Sequence, residues 1–167
     1  MPTPAIERRD QADPPRVETV ASADADGPAG RRLHTSPREV DALVRRIPPG
    51  KVLTLGALRD NLARTHKADH TSAATLAACL KIVADAAEEE RASGAIAAPY
   101  WRVVADDGAL LGELPGGIAG LARRLTAEAV TVLFLGAVPR VTEVSHFAWT
   151  PPPLGKASSG KIVAPRR

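Results

Sequence analysis

Reactive side chains are scarce in this sequence, and their positions limit the chemistry open to it. The single thiol is Cys79, and the four histidines include His66 and His70, separated by Lys67, Ala68 and Asp69. A thiol beside a base would be a nucleophile. Cys79, however, falls in an apolar-periodic stretch without a helical neighbour that could serve as its base, and a small buried residue is the simpler role. His66 and His70 could share a metal if their segment were helical, since i, i+4 spacing puts two imidazoles on one face. No third or fourth ligand accompanies them, and a polar turn is the alternative. The third candidate is Pro99-Tyr100-Trp101-Arg102-Val103-Val104. A phenol with a pKa near 10 is a poor nucleophile at neutral pH, so this stretch offers aromatic surface on which a base could stack, not a reacting atom. We therefore expect neither metal, cofactor nor catalysis.

Helices must position these groups. Ser36 can cap a first helix, Pro37 suits its first turn, Glu39 completes a capping box, and Val40, Leu43, Val44 and Ile47 share a face. Pro48-Pro49-Gly50 ends it. After an extended Val52-Leu53, Thr54 can cap a second helix with Leu55, Leu58 and Leu62 inward. Residues 66–70 read as a polar turn, and Thr71 or Ser72 opens a third helix through Leu76, Leu80 and Val83 toward Glu90. Together they form a helix-turn-helix. The third helix begins with Thr71, Ser72, Ala73, Ala74 and Thr75, followed by Ala77 and Ala78; such small residues let a helix approach DNA closely, and equally let two helices pack. Residues 100–104 and 109–111 flank an Asp-Gly turn as a hairpin, with Tyr100 and Trp101 on opposite faces of the strand. Gly116-Gly117 precedes a last helix with Ile118, Leu121 and Leu125 inward. Residues 130–135 and 141–149 are extended candidates, and Pro151-Pro152-Pro153 closes the domain. The expected fold class is α/β, mostly helical, with a winged helix-turn-helix.

The chain of 167 residues fits one domain with tails. Residues 1–35, rich in Pro, Ala, Asp and Arg without apolar period, are expected to be a disordered tail, residues 36–152 the domain, and residues 153–167 a basic flexible tail. One cysteine excludes an internal disulfide, and no apolar stretch resembles a signal peptide or membrane span, so a soluble, cytoplasmic monomer is expected. The net charge is +3, but the domain balances thirteen basic against thirteen acidic groups over residues 36–151. The surplus lies in the C-terminal tail, which either aids solubility or holds phosphates nonspecifically. Glu88-Glu89-Glu90 reads as a solvated helix end.

The order of these motifs resembles the DNA-binding domain of alkylguanine-DNA alkyltransferases, and more closely the non-catalytic alkyltransferase-like proteins. Ile47-Pro48-Pro49-Gly50-Lys51-Val52, Thr54-Leu55-Gly56, Ala73-Ala74-Thr75, Arg102-Val103-Val104 with Asp107-Gly108, Gly116-Gly117, residues 125–128 and Val144-Ser145-His146-Phe147-Ala148-Trp149-Thr150-Pro151 follow in family order, over about residues 36–152. The resemblance places Tyr100 on the acceptor cysteine and Trp101 on the histidine of the catalytic family, which implies no alkyl transfer. Glu128 matches the glutamate that orients that histidine. The resemblance also implies double-stranded DNA as partner, unmodified or alkylated, with Thr71, Ser72, Ala73, Ala74 and Thr75 at the groove, Lys81 and Lys51 at phosphates, and Leu55, Pro99, Tyr100, Trp101 and Arg102 round a lesion pocket. It leaves room for a repair-protein partner to which an alkylated guanine would be flagged. Two positions depart: Thr75 stands where the family has the arginine that fills the emptied base stack, and Leu55 where it has a tyrosine. Whether Arg64 or Arg102 substitutes in space for that arginine is open, as is a degenerate domain that binds protein instead of DNA.

Overall fold

A computed structural model describes residues 1–152 of the chain; the predicted basic tail lies outside the described residues. Six helices and seven short strands follow in the order α1 (Ala5–Asp10), β1 (Arg16–Val20), β2 (Gly30–His34), α2 (Pro37–Val44), β3 (Leu53–Thr54), α3 (Leu55–Thr65), β4 (His70–Thr71), α4 (Ala73–Ala92), β5 (Val103–Val104), α5 (Gly117–Ala127), β6 (Val132–Leu133), β7 (Arg140–Val141) and α6 (Val144–Phe147). The mixed α/β character agrees with the expected class.

The first three expected helix starts form through their caps, whereas α5 begins after Gly116 without a side-chain cap. Ser36 Oγ accepts from the Glu39 amide at 3.3 Å, Thr54 Oγ1 from Ala57 at 3.2 Å, and Ser72 Oγ from Thr75 at 3.1 Å, satisfying amides that have no partner within the helix. The capping box is only half formed, because the Glu39 carboxylate turns instead to the Thr35 hydroxyl and to His66. Leu43, Val44, Leu53, Leu58, Leu62, Leu80, Val83 and Leu125 fill one core. Two residues of β3 pair in parallel with β5, Leu53 opposite Val103. This pairing ties the segment after α2 to the segment after Tyr100. Val52 joins the C-terminal end, its amide donating to Phe147 and its carbonyl accepting from Trp149.

The structure overturns the expectation of a disordered residue 1–35 segment. Leu33 is fully buried in the core, and β2 pairs antiparallel with β1 and in parallel with β4. Helix α1 packs along α4 and α2, with Ala5 and Arg9 buried at the contact. The Glu89 carboxylate accepts the Ala5 and Ile6 amides at 2.7 and 3.0 Å, and Arg9 reaches Glu90 at 2.6 Å and Asp41 at 3.2 Å. Arg45 closes the network onto Asp41 and Glu90. Glu88-Glu89-Glu90 is therefore an anchorage and not a solvated end. The composition of residues 1–35 looked disordered because their partners are ions on a distant helix.

Three local expectations are also corrected. Residues 100–102 form a 3₁₀ turn, with strand only at Val103–Val104, and the following hairpin is reduced to one bridge between Val104 and Leu110. The predicted turn at residues 66–70 ends in β4, because β2 supplies a partner. Residues 141–149 make a strand end and the short α6 instead of one strand.

Candidate nucleic-acid interface

Tyr100, which the sequence resemblance sets on the acceptor cysteine, has no exposed surface. Its hydroxyl lies 2.7 Å from Glu88 Oε1 and 3.0 Å from the Pro115 carbonyl, and it accepts from Arg124 Nη1 at 3.0 Å. The phenol has one proton, and the shorter, charged acceptor, Glu88, takes it. Burial, then the neighbouring Glu88 carboxylate, pushes the phenol pKa further above its ordinary value. Burial works against ionisation of Glu88, but the hydrogen bonds from Tyr100, Arg124 and Arg91 outweigh it and hold its carboxyl below the usual range. Tyr100 thus fills the site as a fixed core ring.

Trp101 is half-buried beside it, edge-on at 5.6 Å between ring centroids. Three residues per turn of a 3₁₀ helix separate the two side chains, so one ring points in and the other partly out. The Arg124 and Arg102 guanidinium carbons lie 4.8 and 5.5 Å from the Trp101 ring centroid, cation–π contacts that already use its surface. Trp101 Nε1 donates to Glu128 at 3.3 Å. Glu128 also accepts from Arg102 Nε at 2.9 Å and from the Gly50 amide at 3.4 Å, while Arg102 Nη1 donates to the Ile47 carbonyl at 2.6 Å. Burial opposes ionisation of Glu128, and these donors, Arg102 foremost, outweigh it. Arg102 is buried among these partners, and Arg64 is exposed on the last turn of α3.

The five residues assigned to a lesion pocket differ in exposure, Trp101 being half-buried. Pro99, Tyr100 and Arg102 are buried, whereas Leu55 lines a separate apolar hollow of about 90 Å³ with Arg59, Ala73, Leu76 and Ala77. Cys79 is buried, its Sγ donating to the Thr35 carbonyl at 3.5 Å, and burial and then Glu39 push its pKa up to about 11. His66 pairs with Glu39, and His70 Nε2 accepts from Arg32 at 3.2 Å.

At the start of α4 the small residues divide. Thr71 and Ser72 are buried, whereas Ala73, Ala74, Ala77, Ala78 and Lys81 are exposed on one face. Thr71 Oγ1 donates to the Arg59 carbonyl at 2.9 Å, a structural bond. Lys81 pairs with Asp85 at 2.6 Å, and Lys51 reaches only the His146 carbonyl at 3.5 Å. The contact that the sequence did not signal comes from the β1–β2 hairpin. Asp26 accepts from the Ala74 amide at 3.0 Å and from Ser72 Oγ at 2.5 Å, while His34 Nδ1 lies 3.0 Å from Thr75 Oγ1 and its Nε2 lies 2.8 Å from Glu18. The Ala74 amide, then the Ser72 hydroxyl, hold the Asp26 carboxyl below its ordinary value.

No family model matches the chain, and no curated protein matches it. Among solved structures, the chain is similar to S. pombe Atl1 in complex with damaged DNA containing O6-carboxymethylguanine, with TM-score 0.51 and 20% identity over 69% of this chain and 94% of that chain. The fold is shared with Atl1. Atl1 is an alkyltransferase-like protein, so the fold implied by the sequence resemblance is the fold observed. Among the described residues no helix is long and apolar enough to cross a membrane.

Proposed function

We propose that the protein is a non-catalytic DNA-binding protein of the alkyltransferase-like kind. The observation that carries this reading is the fold shared with Atl1, which its structure holds on damaged DNA, combined with a buried, hydrogen-bonded Tyr100 where a nucleophile would stand. In this reading the exposed alanines of α4 lie at the groove, where small side chains allow close approach, and Lys81 and Lys51 meet phosphates. Thr71 and Ser72 hold the start of α4 from beneath. Alkylated guanine is the ligand of choice, and a repair protein would receive the flagged site.

A second reading, a protein-interaction module, is favoured by the acidic hairpin loop seated on α4 and by the two arginines that occupy Trp101. Fluorescence anisotropy separates the two, using matched duplexes with and without a single alkylated guanine at low and moderate salt. Binding at least tenfold tighter to the lesion, about 1.4 kcal/mol, is the expected result for the first reading. No binding to either duplex at low salt favours the second.

A further inference from the structure

The N-terminus of α4 already holds an anion, and it belongs to the chain itself. A helix of 20 residues concentrates partial positive charge and unpaired amides at its first turn, which is where a phosphate or carboxylate binds. The two Asp26 oxygens take the Ala74 amide and the Ser72 hydroxyl, as two oxygens of one phosphate would.

The loop that delivers Asp26 stands outside the core. None of residues 21–29 is buried, and β1 pairs with β2 alone. Arg32, buried at the base, grips both Asp24 oxygens at 2.7 and 3.0 Å. The Asp24 and Gly27 backbones pair with each other, Gly27 at φ 144°, so the loop is a closed turn hinged on Arg32. Residues 25–28 of the loop line a hollow of about 330 Å³ together with Arg59, Asp60 and Thr71, and a Cβ at Gly27 would come within 3.1 Å of the His70 ring.

We infer that residues 21–29 form an intramolecular lid whose Asp26 carboxylate holds the place of a DNA phosphate at α4, so that the closed lid and duplex binding exclude each other. This rests on the DNA-binding reading above. Opening costs the two Asp26 bonds and the 3.8 Å Asp26–Arg32 ion pair, and leaves Leu33 and the β2–β4 pairing in place. The duplex backbone then meets the freed Ala74 amide, with Arg59 beside it.

The test compares the full-length wild type with Asp26→Ala, Asp26→Asn and Asp60→Asn on one unmodified duplex at low salt. Asp60 lines the same hollow and makes no bond to α4, so its variant removes a charge without releasing the lid. Both Asp26 variants are expected to bind at least tenfold tighter than wild type, and Asp60→Asn to gain far less. Asp26 variants that gain no more than Asp60→Asn, while wild type binds measurably, overturn the lid and leave DNA binding standing. If none of the four proteins binds the duplex, the DNA reading fails and the lid falls with it.

Discussion

The two ends of α4 are both held by carboxylates, yet in opposite senses. At the C-terminal end the helix supplies the acids: Glu88 to Tyr100 and Arg124, Glu89 to the start of α1, Glu90 to Arg9 and Arg45. These contacts sit beside a packed core of Val83, Ala84 and Ala87, and releasing them takes a carboxylate from Arg9, Arg45 or Arg124, or leaves the first amides of α1 without an acceptor. At the N-terminal end the acid comes from outside, on a loop with no buried residue, and releasing it frees one amide and one hydroxyl that water or an anion can satisfy. The same kind of bond therefore anchors one end and gates the other. What decides between them is how much the partner depends on it.

That contrast breaks first at Glu90. Its side chain is 12% exposed and serves both Arg9 and Arg45, so Glu90→Ala removes one of the two carboxylates these arginines share and leaves Asp41 to pair both, a loss of about 2 kcal/mol. Chemical denaturation followed by circular dichroism should show the midpoint shift, with DNA affinity per folded molecule unchanged. Altered affinity with unaltered stability would show that the C-terminal end is not an anchor. Tyr100→Phe comes next. It keeps the ring and the Glu88–Arg124 pair and removes one hydroxyl, at a cost of about 1 kcal/mol. A gain in binding to alkylated over unmodified duplex in this variant would mean that the Tyr100 site can open, contrary to its fixed place in the core.

Much of the scaffold was legible because its signals are local. Ser36, Thr54 and Ser72 cap as their spacing implies, and the apolar faces of α2, α3 and α4 enter the core as their period requires. The site was legible only in part. That Tyr100 and Trp101 leave no nucleophile could be read directly, but their 3₁₀ turn could not, because only two residues of β5 find a strand partner. The N-terminal segment was misread because composition measures apolar content, and this segment is ordered by ion pairs. Arg9 and Asp26 act 81 and 48 residues away in sequence, and a single sequence carries no period or motif for such pairs.

At the other end of α4, Asp26→Ala removes an external cap and is expected to cost only about 1 kcal/mol of stability, a fraction of the Glu90 effect on the same helix. Acid titration sharpens the point through the sign of the shift. The Asp26 carboxyl is held below its ordinary value of 3.8, and Glu89 below 4.5. Each contact is fully stabilising above the unfolded pKa and is lost as pH falls through the lower folded one. Melting temperature should therefore stay nearly level from about pH 8 to about pH 5 and drop below about pH 4. Asp26→Asn cannot lose a charge it lacks, so its acid decline should be slightly shallower than that of wild type. Superimposable declines would mean that Asp26 does not sit on α4 in solution, and the difference between the two ends of the helix would then reduce to the presence of one anchor.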